Sequence, residues 1–146
     1  MNLFKPSYII IHHSLTVDSR TVSWQAIRNY HLSLGWDDIG YHYGIEMVNN
    51  KYEILVGRME GTPGAHCREE NINRKSIGIC CVGNFDDEAP DMAQWNILID
   101  LCVNICLRYE ITIKNIKGHK EYAPYKSCPG KKFNMDEFRK DLKNLF

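Results

Sequence analysis

With 146 residues, the chain has room for one domain with a substantial core and none for a second of ordinary size. Eighteen basic and eighteen acidic side chains cancel, which leaves no field to gather nucleic acid or an anionic membrane surface. The six cysteines include the adjacent Cys80 and Cys81 and the pair Cys102 and Cys106 one helical turn apart, a pattern of reduced, buried thiols rather than of a disulfide-stapled secreted scaffold.

The first apolar run, in "MNLFKPSYIIIHHS", is cut off by His12 and His13 and is too short for a signal peptide or a membrane span. The chain is therefore expected to be made and at first kept in the cytosol. "SYIII", residues 7–11, predicts a strand buried on both faces, with the two histidines at its end. From Ser23 the positions Ile27, Tyr30, His31 and Leu34 follow helical spacing, and Gly35 stands where a left-handed cap would close the helix. "YHYGIEMV" and "KYEILV" flank the turn-forming Asn49 and Asn50 and predict a hairpin. The polar, glycine-rich "RMEGTPGAHCREENINRK" predicts a long surface loop, and "SIGICCVG" a return to a central strand. Asp91 and Gln94 predict a capping box for a helix with the stripe Trp95, Leu98, Cys102, Ile105 and Tyr109; Asn134 and Glu137 do the same for a last helix using Phe138, Leu142 and Leu145. "IKNIK" between them predicts a short strand. The sum is one α/β domain over residues 1–146, without repeats or linkers.

That short strand leads into "GHKEYAPYKSCPG", residues 118–130, where a histidine, a lysine and a cysteine share a loop stiffened by prolines. Extended backbone before Pro129 would put Lys126 and Cys128 on one side. His119 precedes Cys128 by nine residues, so a loop closing on itself brings both to one ion, and His12, also at a strand end, is the natural third ligand. Two imidazoles and a thiolate suit zinc, and three protein ligands leave an open position, the mark of a catalytic site. Zinc lowers the pKa of water to about 7 and polarises carbonyls, which points to hydrolysis. The same ligands occur in blue-copper sites, but those sit in all-β sandwiches, and the helical stripes oppose that fold. Spacing alone also leaves open a simpler reading, in which each histidine is a hydrogen-bonded strand-end residue.

The ordered blocks "IIIHHS", "IRNYHLSLGWDDIGYHYGI", "VGR", "GAHCREENINRKSIGICCVGNFDD" and "GHKEYAPYKSCPG" cover most of the chain from Tyr8 to Phe133. Through them the sequence resembles the zinc-dependent N-acetylmuramoyl-L-alanine amidases of the peptidoglycan recognition protein superfamily, above all the short amidase-type endolysins of bacteriophages. The resemblance implies a central mixed β-sheet of about five strands flanked by about three α-helices, with Zn²⁺ at the floor of a surface groove. It places the zinc ligands at His12, His119 and Cys128, the same residues chosen above, and the catalytic residues at Tyr41 and Lys126. It implies hydrolysis of the amide between N-acetylmuramic acid and L-alanine. Tyr41 would orient the water or the carbonyl and Lys126 would stabilise the oxyanion. The expected partner is peptidoglycan or a muropeptide, reached after membrane permeabilisation, with no nucleic acid, no membrane insertion and a monomeric state.

Among the remaining polar residues, His66 and Asn73 are expected to contact substrate, although turn bonds would also explain Asn73 and Ser76. Alternation along the strand turns His13 away from His12, and His42 away from Tyr41. His31 reads as a packed helix residue. Two departures stand out. Cys80 occupies the position where cytosolic muropeptide-recycling amidases carry a glutamate, and one extra residue separates His119 from Cys128 relative to the phage pattern. Three rival functions remain: a non-catalytic peptidoglycan receptor, which typically lacks the cysteine ligand; a cytosolic muropeptide-recycling amidase; and a closed four-ligand structural zinc site completed by His13 or Cys80.

Overall fold

A computed structural model describes residues 4–15 and 23–146. Uninterrupted β-branched residues build the central strand β1 (Tyr8–His13), which is buried along nearly its whole length. Helix α1 (Trp24–Ser33) starts where the Ser23 hydroxyl accepts from the Ala26 N–H at 3.2 Å. Gly35 follows it with φ +87°. Strands β2 (Tyr43–Val48) and β3 (Lys51–Val56) form the expected hairpin, and Asn49 and Asn50 both adopt positive φ, 52° and 68°, at its turn. After a loop that includes a 3₁₀ segment at Glu69–Arg74 come β4 (Ser76–Cys81), α2 (Met92–Tyr109), β5 (Ile116–Gly118) and α3 (Met135–Lys143).

The five strands make one mixed sheet in the order β3-β2-β4-β1-β5, antiparallel only between β2 and β3. Helices α2 and α3 cover one face with Leu98, Cys102, Ile105, Phe138 and Leu142. The expected fold class is therefore the observed one. No described helix is long and apolar enough to cross a membrane.

Local details differ from expectation for physical reasons. In α1 the buried residues are Trp24 and His31, whereas Tyr30 and Leu34 point to solvent, because the helix lies across the groove side of the sheet and not against the main core. Gln94 does not complete a capping box. Asp91 alone caps α2 through the Ala93 N–H, and the buried Gln94 amide donates to the carbonyls of Ile45 and Val82, tying α2 to the sheet. Leu145 lies beyond α3 and is exposed. The strand read at "IKNIK" begins later, since Ile113–Asn115 form a 3₁₀ turn.

Candidate metal centre and its groove

Parallel pairing of β1 with both β4 and β5 puts the C-terminal ends of these strands side by side. His12 is the next-to-last residue of β1, and His119 follows the last residue of β5. The 119–130 loop closes back on β5 through the Lys120 N–H, which donates to the Cys128 carbonyl at 2.7 Å. It is held from below by Asp86, whose carboxylate accepts from the Ser127 hydroxyl at 2.9 Å and the Lys131 N–H at 2.8 Å. Two turns, closed by Lys126 N–H to Ala123 and by Gly130 N–H to Ser127, replace the extended segment expected before Pro129. Lys126 and Cys128 still face one cavity, of about 470 Å³, with His12, Tyr41 and His119.

The donor atoms of His12, His119 and Cys128 all lie within 4.8 Å of one another. Their surroundings fit a cation. His12 Nδ1 is 3.5 Å from Cys128 Sγ, while its Nε2 is held by His66 Nδ1 at 2.9 Å. His119 Nε2 is held by Glu69 Oε1 at 3.3 Å, which leaves Nδ1 as the nitrogen available to the other two donors. The His13 backbone N–H points at Cys128 Sγ at 3.4 Å, a donor suited to a thiolate. Burial holds His12 well below the usual histidine range, reinforced by His66 and His119, and lowers His119 as well, so both rings are neutral as ligation requires. Burial pushes the Cys128 thiol up to about 12, so without a cation it is no thiolate nucleophile.

The ring of Tyr41 lies 5.1 Å from that of His12, between Trp24 and His66. Burial raises its phenol well above the usual range, with Cys80 and Cys128 adding to the effect, so it stays protonated and able to donate. Lys126 is exposed at the rim, near enough for its charge to act on His12, His119 and Cys128. Past His119 the cavity runs into a second hollow of about 440 Å³ bordered by Trp36, Glu69 and Tyr125. The result is a groove with a soft-donor triad at its floor and a cation at its edge.

A family model described as N-acetylmuramoyl-L-alanine amidase matches residues 2–131. The chain belongs to this amidase family. It is a cell-wall amidase that cleaves the bond between N-acetylmuramic acid and L-alanine. The endolysin of Escherichia phage T7 is 35% identical over 126 residues, which cover 83% of this chain and 78% of that one. The N-acetylmuramoyl-L-alanine amidase LysC from Clostridium intestinale superposes with a TM-score of 0.83 at 31% identity, over 96% of this chain and 87% of that one. A point mutant of Drosophila PGRP-LB in complex with tracheal cytotoxin superposes with a TM-score of 0.74 at 26% identity, over 91% and 80% of the two chains.

The other histidines of the amidase all make hydrogen bonds within the fold. His13 faces the helical side, where its Nδ1 accepts from the Phe85 N–H at 3.1 Å. His31 Nδ1 accepts from the Gly40 N–H at 2.8 Å, and His42 accepts from the Gly78 N–H at 3.0 Å. His66 bonds to His12 and reaches the Ser76 hydroxyl at 3.3 Å, and it also lines both hollows of the groove. Asn73 spends its side-chain oxygen on the backbone N–H groups of His66 and Cys67, at 2.8 and 2.7 Å. Glu69 is the residue that sequence reasoning missed. Its bond to His119 spans fifty positions and depends on Glu70 and Asn71 both adopting positive φ, for which the sequence carries no spacing signal.

Proposed function

We propose that His12, His119 and Cys128 of this amidase hold Zn²⁺, and that Tyr41 and Lys126 are its catalytic side chains, all within a single catalytic domain spanning residues 1–146. The convergence of three neutral or ionisable soft donors within 4.8 Å, at the floor of the groove, carries this reading. Bound there, zinc supplies Lewis acidity toward a carbonyl and acidifies water. The muramoyl lactyl carbonyl docks between Tyr41 and Lys126. Tyr41, protonated throughout, donates its phenolic hydrogen to the attacking water or the carbonyl oxygen and fixes its position. Lys126 places a full positive charge where the tetrahedral oxyanion develops and, with Tyr41, stands within reach of the departing L-alanine amine that must take up a proton. His66 and Glu69 hold His12 and His119 in the ligating tautomers.

A non-catalytic receptor is disfavoured because Cys128 is present with both histidines. A closed structural site is disfavoured because His13 turns to the opposite face and Cys80 is committed to Tyr41. Cys80 also supplies no carboxylate base where the muropeptide-recycling enzymes carry one. The tracheal cytotoxin complex of PGRP-LB supports peptidoglycan or its soluble fragments as the occupant of the groove, and the T7 endolysin supports action on intact wall, reached after membrane permeabilisation. A monomer suffices, since all the proposed groups come from one chain. The test is to incubate the zinc-loaded protein with intact peptidoglycan and identify released fragments by mass spectrometry. Free peptides beginning with L-alanine, absent with Cys128→Ser, are expected; binding without release would make the groove a receptor site.

A further inference from the structure

Beside the triad, and sharing His119 with it, lies a second constellation whose thiol, Cys67, the amidase reaction leaves unused. Cys67 Sγ, a carboxylate oxygen of Glu69 and a ring nitrogen of His119 lie within 4.8 Å of one another. A single oxygen, Glu69 Oε1, faces both partners: His119 Nε2 at 3.3 Å and Cys67 Sγ at 3.7 Å. The other oxygen is fixed by the Tyr125 hydroxyl at 2.7 Å, so Oε1 is aimed inward. Asn73 pins the backbone at Cys67, and the left-handed Glu70 and Asn71 turn the chain so that Glu69 reaches back over His119.

We propose that Cys67, Glu69 and His119 form a second cation site, for a divalent ion of the zinc class, which when filled withdraws His119 from the first site. The inference rests on His119 being a ligand of the first site. Thiolate, carboxylate and imidazole together are a zinc-class donor set. In the ion-free state two hydrogens, from the thiol and from Nε2, converge on one carboxylate oxygen, and a cation takes the place of both. The ion enters by way of the groove, since Glu69 borders it and keeps 18% of its side chain exposed, while Cys67 is buried behind. Exclusivity follows from the imidazole itself. A neutral ring has one lone-pair nitrogen, so once Nε2 ligates, the proton resides on Nδ1 and that nitrogen is closed to the His12 and Cys128 side. The first ion is then left with His12 and Cys128. One equivalent of metal activates the enzyme and a second inhibits it.

The experiment titrates the metal-free protein with Co²⁺, following thiolate-to-cobalt charge-transfer absorption, and in parallel with Zn²⁺, following peptide release from peptidoglycan. Two absorption steps are expected, one for each thiolate, with activity rising over the first equivalent and falling at least about tenfold over the second. Cys67→Ser keeps the first step and the activity and loses both the second step and the inhibition. Glu69→Gln, which can still accept from Tyr125, weakens the second step without disturbing the packing of Cys67. A single step with undiminished activity at excess metal overturns the proposal, as does a second step that survives in both variants. Absence of even the first step would instead sink the His12, His119 and Cys128 ligand set.

Discussion

Along β1, β4 and β2, alternate residues belong to two unlike surfaces. Ile9, Ile11, Ile45, Ile77, Ile79 and Cys81 join the residues of α2 and α3 in one continuous apolar cluster. The intervening positions on the other face include Ile10, His12, Gly44, Gly78 and Cys80, and the apolar clusters there are small: Ile10 with Cys67 and Ile72, and Trp24 with Ile39 and Cys80. Two of those positions are glycines for a steric reason. A Cβ on Gly78 would stand 2.6 Å from the His66 ring, and one on Gly44 would stand 2.3 Å from the Trp24 ring. The groove face is thus hollowed to seat the rings packed around His12 and Tyr41. A sheet can carry buried, neutral histidines on one side because burial on the other side, at roughly 25 cal/mol per Å² of apolar surface, stabilises the fold independently.

If the faces divide chemistry from stability in this way, a substitution on one should leave the other property nearly untouched. The largest expected effect is Cys128→Ser. It removes the soft ligand and should abolish turnover, a loss of at least about a hundredfold, and weaken zinc retention against a chelator, with little change in the unfolding midpoint of the metal-free protein. The converse is Phe138→Ala. Phe138 is fully buried against Trp95 and Phe133, so truncation should cost about 3–5 kcal/mol in denaturant unfolding, with kcat/KM per folded molecule unchanged. A Phe138→Ala protein that stayed folded yet lost zinc would show that the faces are coupled and end the comparison.

How legible each face was in the sequence follows from its physics. The strands and helices of the apolar face are written in local periodicity: "SYIII" and "SIGICC" as buried runs, and the stripe of Leu98, Cys102 and Ile105 as a helix. The convergence of His12, His119 and Cys128 was also legible, because each is a metal-binding residue type near or just past a strand end or in a proline-braced loop, and because the ordered motifs resemble a known family. What stayed hidden was pairwise and long-range. Gln94 looked like a cap but bonds across to β2, the bond of His66 to His12 had no counterpart in the spacing, and Glu69 gave no signal at all. Those bonds depend on backbone excursions and on which atoms face each other after folding, and neither is encoded in spacing.

Lys126→Ala sharpens the comparison within the groove face itself, by separating charge from ligation. The residue is exposed and no ligand, so the variant should bind zinc as the parent does and unfold at the same midpoint. It should lose about a hundred- to a thousandfold in kcat, the effect of removing one preorganised group from a developing oxyanion. Hydrolysis of the wall at the parental rate would remove Lys126 from the mechanism.

The smallest effect concerns a polar cluster at the edge of the helical face. Glu60 receives the guanidinium of Arg108, with Nη2 donating to Oε2 at 2.8 Å, and the hydroxyls of Tyr43 and Tyr109, so it fastens β2 to the end of α2. The Arg108 hydrogen bonds lower its carboxyl to about 2, against partial burial that works the other way. A carboxyl depressed in the folded state binds its proton less readily there than in the unfolded chain. Its contribution is therefore present above the ordinary carboxylate value and is lost as pH falls from about 4.5 through about 2. After discounting for solvent screening this amounts to about 1 kcal/mol. Chemical denaturation of the metal-free protein across that range, compared with Glu60→Gln, isolates it from any loss of zinc. The acid limb of the parent should be steeper, and the variant's flatter by that amount. Equal limbs would mean that this cluster is as neutral to stability as an ordinary surface pair, and that the helical face holds by apolar burial alone.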